Sequence, residues 1–197
     1  MPITDMLYGV LFRPVATFGR LAEEKPLARA VGVWSLALVF TALVNAGIFR
    51  GQLGSALPFP ALTQAASNLM WLYGLMYVLF SLALWFVISA VYTVLGELLF
   101  GVANGRGILT CMALAGVPAA FGPAFYLLGE VLSLQSLSWL LMLGVSLWTL
   151  VLKILALRET LDIDTARAVV IWILPYLAAA LPVILGVIVV IASIGTL

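Results

Sequence analysis

The chain has 197 residues, of which 65% are apolar and only 9% are charged, and its net charge is +1. Soluble domains are about half apolar and about a quarter charged, so this composition excludes a water-soluble fold. The balanced charge gives no sign of a nucleic-acid partner. The chain has no histidine, which removes the commonest general base and transition-metal ligand. We therefore expect an integral membrane protein.

Residues 1–29 predict an amphipathic helix that precedes the membrane domain. Pro14 suits the first turn of a helix, where its missing N–H costs nothing. Phe18 and Leu21 follow at helical spacing, and Pro26 ends the run. Such a helix either lies in the membrane interface or docks on the bundle, and the sequence leaves both alternatives open.

Residues 30–197 contain five apolar stretches, each reaching the length of about twenty residues that a helix needs to cross a bilayer. None carries a charge near its middle. The predicted spans are residues 30–49, 69–95, 108–128, 138–157 and 169–194. The sequence therefore predicts an all-α polytopic bundle of five transmembrane helices with an N-terminal interfacial amphipathic helix.

The basic residues predict the orientation of these spans. With five spans, eight of the nine lysines and arginines fall on the side of the N-terminus, and only Arg50 falls on the other. Basic residues near span ends favour the cytoplasmic side. We therefore expect a cytoplasmic N-terminus and a C-terminus on the far side.

A cluster of charges between the last two predicted spans is the first candidate site. Arg158 suits the negative dipole end of the fourth helix, and Asp164 is predicted to cap the fifth. Glu159 and Asp162 are left over and give this loop an acidic face. We expect Arg158, Glu159, Asp162 and Arg167 to form a partner contact.

Polar groups near span ends and prolines within spans form the second candidate site. Pro118 and Pro123 are predicted to break the third span, and Pro175 and Pro182 the fifth. Paired broken helices are typical of a midplane transport site, although close packing of kinked helices explains them as well. The residues of such a path would be Asn45, Glu97, Pro118, Pro123, Glu130 and Lys153. Lys153 could otherwise extend to the interface.

Catalytic motifs are absent from the sequence. There is no Gly-x-Ser-x-Gly, no His-Glu-x-x-His and no Ser/His or Cys/His pairing, and the single Cys111 lies in an apolar run where a buried, inert thiol is expected. We therefore expect no enzymatic activity, no catalytic or metal-binding residue and no cofactor.

Three stretches carry a resemblance to a known family. They are "LFRPVATFGRLAEEKPLARA" before the first span, "GRGILTCMALAGVPAAFGP" at the third, and "ALRETLDIDTARAVVIWILP" between the last two. In this order they resemble the bacterial branch of the Yip (Ypt-interacting protein) domain family, whose members are five-span membrane proteins. The family pattern usually has a glycine near Asp162, and the eukaryotic Asp-Leu-Tyr-Gly-Pro signature is absent here.

The resemblance implies a non-enzymatic scaffold or adaptor that organises membrane proteins or lipids, with a role in membrane trafficking or membrane organisation. A small transporter or channel is the alternative. The expected partners are membrane lipids and other membrane or cytoplasmic proteins, and a homo-oligomer stays open. The missing eukaryotic signature favours the bacterial inner membrane.

Overall fold

The computed structural model describes residues 2–56 and 60–194, and throughout these it contains helices and turns but no strand. The predicted position of the C-terminus falls on residues 195–197, which lie outside the described residues. The helices are α1 (Ile3–Phe12), α2 (Pro14–Glu24), α3 (Leu27–Ala56), α4 (Pro60–Asn68), α5 (Met70–Phe100), α6 (Gly105–Gly116), a 3-10 helix (Val117–Ala120), α7 (Phe121–Val131), α8 (Gln135–Leu161) and α9 (Thr165–Ile194).

Five segments are long and apolar enough to cross a membrane. They are Leu27–Gln52, Met70–Phe100, Gly105–Val131, Gln135–Leu161 and Thr165–Gly186. The predicted fold class, a five-helix membrane bundle, is therefore confirmed. The first four helical segments begin or end several residues outside the apolar stretches that predicted them, since helices continue into the polar flanks until a cap or a turn stops them.

The N-terminal segment forms two helices where the sequence predicted one. The chain breaks at Arg13, whose φ of −139° is extended, because a residue before proline avoids the helical region. α2 then packs on α6 and α8, and its Phe18 and Leu21 side chains are fully buried. Of the two alternatives that the sequence left open, docking on the bundle is the one that these contacts show.

The third span is interrupted where the sequence predicted it. Pro118 lies in the first turn of the 3-10 helix, and Pro123 lies in the first turn of α7. Proline is tolerated in the first turn of a helix, where it removes no hydrogen bond of that helix. Each proline of the third span therefore lies where a new helical segment begins.

The predicted break of the fifth span is wrong. Pro175 and Pro182 lie inside α9, which continues as one helix from Thr165 to Ile194. In the third span, glycines stand beside the prolines, whereas the residues between Pro175 and Pro182 are tyrosine, leucine and alanine. Leucine and alanine favour the helix far more than glycine does, so proline can kink α9 without ending it.

α6 lies at the centre of the bundle and contacts α2, α3, α5 and α8. Its Ile108, Cys111 and Leu114 side chains are fully buried. Small residues let the neighbouring helices approach closely. A Cβ atom on Gly116 would lie only 2.8 Å from the Trp34 ring, so this position of α6 admits no side chain without displacement of the indole.

Candidate functional site

One end of the bundle collects most of the basic side chains. α2, α5 and α8 end there, and α3, α6 and α9 begin there. We call it the basic end, and the opposite end, where α7 turns into α8, the far end. The basic residues at or next to the helix ends of the basic end are Arg20, Lys25, Arg29, Arg106, Arg158 and Arg167.

Asn104 joins three elements of the basic end. Its Nδ2 donates to the carbonyl oxygen of Ala22 in α2 at 3.4 Å and to that of Thr160 in α8 at 3.2 Å. Its Oδ1 accepts a hydrogen bond from the Gly107 N–H at 3.2 Å, which caps α6. One side chain therefore ties the ends of α2 and α8 to the start of α6.

The N-terminal segment and the loop between α8 and α9 lie side by side as a result. Glu159 is so near to α2 that a Cβ atom on Gly19 would lie 3.7 Å from its Oε2 atom. Further into the bundle, the Cys111 thiol of α6 lies 3.8 Å from the Phe18 carbonyl oxygen, which accepts its weak hydrogen bond. We call α2 together with residues 158–167 the basic-end surface.

Arg158 and Glu159 form an ion pair on this surface. The Nε and Nη2 atoms of Arg158 lie 2.8 and 2.5 Å from Oε1 of Glu159. The two side chains are only 28% and 21% exposed. The Nη1 atom of Arg158 also donates to the Thr165 hydroxyl at 3.4 Å, so this pair connects the end of α8 with the first turn of α9.

The two aspartates of the loop have different backbone roles. Asp162 ends α8 in the left-handed conformation, with a φ of 51°, where glycine is the usual residue. Asp164 accepts a hydrogen bond from the Arg167 N–H at 2.9 Å, which is the predicted cap of the fifth helix.

Arg167 links the loop to α5. Its Nε lies 3.0 Å from a carboxylate oxygen of Asp164. Its guanidinium carbon lies 5.3 Å from the centre of the Phe100 ring, within the range of a cation–π contact. The last turn of α5 is thereby attached to the first turn of α9.

The structure thus gathers the four predicted contact residues at one place, but their role in binding a partner stays a prediction. Arg158, Glu159 and Arg167 already have partners within the chain, while Asp162 is exposed. Sequence reasoning missed Asn104, and the signal was an Asn-Gly pair directly before an apolar run, which is typical of an N-cap.

The predicted transport residues do not share one site. Glu97 is exposed near the basic end of α5, whereas Glu130 is exposed at the far end of α7 and accepts a hydrogen bond from the Tyr126 hydroxyl at 2.9 Å. Asn45 is half-buried in α3. A path through these groups stays a prediction.

Lys153, a member of this set, lines a cavity between the spans. The cavity has a volume of about 250 Å³ and lies among α3, α5, α6, α8 and α9. Trp34, Trp85, Ser89 and Tyr176 contribute to its walls. We call it the Lys153 cavity.

A model of the Yip1 domain matches residues 8–192. The chain belongs to this family. The Yip1 domain thus includes all five candidate spans, the basic-end surface and the Lys153 cavity, and it makes this a membrane protein of the Yip family. No match was found among curated proteins or among solved structures.

Proposed function

We propose that this Yip1-domain protein is a non-enzymatic membrane scaffold that holds partner proteins or lipids at its basic end. The observation that carries the proposal is the contact between α2 and the loop of residues 158–167, held together by Asn104. The sequence predicted a partner contact at residues 158–167, and α2 lies next to them. Their adjacency would let one partner bind both.

The internal bonds of the basic-end surface suit it to this role. Arg158 and Arg167 each pair with an acidic neighbour, so their side chains are held before a partner arrives. Ordering flexible side chains costs about 0.5–1.5 kcal/mol each on binding. A surface that is already ordered avoids part of that cost, and its charges of both signs would select a partner of complementary pattern.

The proposed scaffold presents this surface to the cytoplasm from a bacterial inner membrane. The excess of basic residues at this end supports the orientation through the positive-inside rule. In a Cys111→Ala background, we expect a cysteine at Asp162 to react with an impermeant maleimide only after the membrane is opened, and a cysteine at Ser133 of the far end to react in intact cells. The reverse pattern would refute the orientation.

Photocrosslinking from the two halves of the surface tests the scaffold itself. A photoreactive amino acid would replace Glu23 of α2 in one variant and Asp162 of the loop in another, since both side chains are exposed. We expect both to capture the same partner in native membranes. The matched control is Ser133, which is also exposed but lies in the turn between α7 and α8.

The comparison of the three crosslinking patterns decides the outcome. A shared partner at positions 23 and 162 that is absent at 133 supports the scaffold. Capture of different partners at 23 and 162, or equal capture at 133, would contradict a single basic-end docking surface. Replacement of Asn104 by alanine should reduce the shared crosslink, because it removes the bonds that hold the two segments together.

A further inference from the structure

Lys153 has no acidic partner among the residues that the structure describes. The protein has eight acidic residues. Seven of them are exposed, and the eighth, Glu159, pairs with Arg158. In the part of the chain that the structure describes, no carboxylate lies within ion-pair distance of Lys153.

The position of Lys153 makes this lack of a partner costly. It lies about 12 Å before the end of α8, at about 1.5 Å of rise per residue, within a segment long and apolar enough to span a membrane. Ionisable groups at such depth normally pair with another group or line a functional pathway. An anionic group bound next to Lys153 would supply the partner that the described residues lack.

Three residues in the walls of the Lys153 cavity carry unpaired polar groups. The indole N–H groups of Trp34 and Trp85 are buried without a hydrogen-bond partner among the described residues, and so is the Ser89 hydroxyl. An indole N–H can only donate. A buried polar group without a partner loses its hydration without compensation. A small rotation of these wall side chains would let their unpaired donors bind a ligand group that accepts hydrogen bonds, and Lys153 favours one that carries negative charge.

An apolar groove lies next to this cavity on two of the helices that line it. It has a volume of about 440 Å³ and lies between α3 and α5. Ala42 lies one turn after Leu38 of the cavity wall, and Val78 lies about one turn before Ser81. The residues that line the groove are Val39, Ala42, Leu43, Ala46, Met70, Trp71, Gly74, Leu75 and Val78.

We propose that the Lys153 cavity binds the anionic group of a membrane amphiphile, a carboxylate or a phosphate, while its acyl chain lies in the α3–α5 groove. The charge complementarity with Lys153 selects the head, and the adjacent apolar groove selects the chain. This site is separate from the basic-end surface, so the inference stands whether or not that surface binds a partner.

Amine labelling tests the proposal directly, because Lys25 and Lys153 are the only lysines of the chain. Lys25 lies at the basic end, where it ends α2, and serves as the internal control. The delipidated protein in neutral detergent would be treated with an amine-reactive reagent, and the labelling of each lysine would be followed by peptide mass spectrometry. We expect oleate or phosphatidylglycerol to slow labelling of Lys153 about tenfold and to leave Lys25 unchanged.

Three further probes separate the head, the chain and their source. Oleyl alcohol has the same chain as oleate without the charge, and inorganic phosphate has the charge without a chain. Neither should protect Lys153. If oleate alone protects, the ligand is a free carboxylate amphiphile, and if phosphatidylglycerol alone protects, it is a phospholipid; both outcomes support the site. Equal protection by oleyl alcohol or by inorganic phosphate would overturn the proposal.

Charge variants give a second measurement that does not depend on labelling. Binding of oleate would be measured by native mass spectrometry for Lys153→Met, Lys153→Arg and Lys25→Met. We expect Lys153→Met to weaken binding about tenfold or more, while Lys153→Arg and Lys25→Met retain it. Unchanged binding in Lys153→Met would refute the role of this amine.

The groove is tested by chain length. Ala46 is half-buried and lines the groove, so Ala46→Phe should fill it. We expect this variant to bind oleate several-fold more weakly and to bind octanoate, whose chain is too short to extend along the groove, as the wild type does. Equal weakening of both ligands, or of neither, would place the chain elsewhere and overturn the two-part site.

Discussion

The second and third spans of this protein differ most in how much of each is buried inside the bundle. In the most apolar 18 residues of each, 56% are buried in the third span against 11% in the second. Yet the third span is the least apolar of the five. A helix that faces lipid must be apolar on nearly its whole surface, whereas a central helix needs small side chains, because helices in a bilayer associate by close packing. Across the five candidate spans the less apolar segments are the more buried ones, so high hydropathy in this bundle marks exposure to lipid rather than a central position.

The largest expected effect comes from adding a side chain to the central helix. Gly116→Leu would force a side chain into the Trp34 ring, so we expect a loss of about 3 kcal/mol in the free energy of unfolding. Cys111 is fully buried beside it in α6. The rate at which N-ethylmaleimide labels this single thiol under increasing denaturant measures the change.

The matched control is the same substitution on an open face. A Cβ atom on Gly144 of α8 would meet no atom within 4 Å, so Gly144→Leu should change the free energy of unfolding by less than about 0.5 kcal/mol. Similar losses in the two variants would show that both positions are equally packed. This result would contradict the proposed difference between central and lipid-facing helices.

An intermediate effect is expected at Asn104, where the central helix begins. Asn104→Ala removes two hydrogen bonds to carbonyl groups and the cap of α6, so we expect a loss of about 1–2 kcal/mol. Asn104→Ser keeps a capping oxygen but not the bonds to Ala22 and Thr160, and it should recover about half of the loss. The exposed Asn68 supplies the control, since Asn68→Ala should have little effect on thermal unfolding in detergent. Full recovery of the lost stability in Asn104→Ser would mean that Asn104 stabilises the protein only as the cap of α6.

The smallest expected effect lies in the turn between two helices that face lipid. Asp162 adopts a left-handed conformation, which costs an L-residue about 1–2 kcal/mol. Asp162→Gly should therefore leave the melting temperature unchanged or raise it slightly, whereas Asp162→Val should lower the free energy of unfolding by about 1 kcal/mol. A destabilised glycine variant would mean that the Asp162 carboxylate contributes more than its backbone conformation.

Local patterns predicted much of this molecule before any contact was known. The five spans follow from the length of apolar stretches, and the cap at Asp164 follows from one carboxylate next to free amide groups. The basic residues collect at one end because successive spans alternate direction. Each of these features depends on residues close in sequence, so the chain alone carries the necessary information.

Other features escaped this reasoning because they depend on distant residues. The third and the fifth span each contain two prolines, yet of these two only the third is broken. We attribute the difference to the glycines next to the prolines of the third span and to the packing of that span against α8. The Asn-Gly pair at 104–105 is typical of a turn. The hydrogen bonds from the Asn104 side chain to carbonyl groups of two other helices depend on residues far away in the sequence. The cavity around Lys153 exists only where five helices meet.

The sequence by itself determined that this protein is a five-span membrane bundle with one basic end, because transfer of each segment into lipid depends on that segment alone. Only the tertiary structure decided that the least apolar span lies at the centre, that α2 docks beside residues 158–167, and that Lys153 lines a cavity in which no described residue supplies a counter-charge. These features arise from the fit between helices, and the hydropathy of a single helix contains no information about its neighbours.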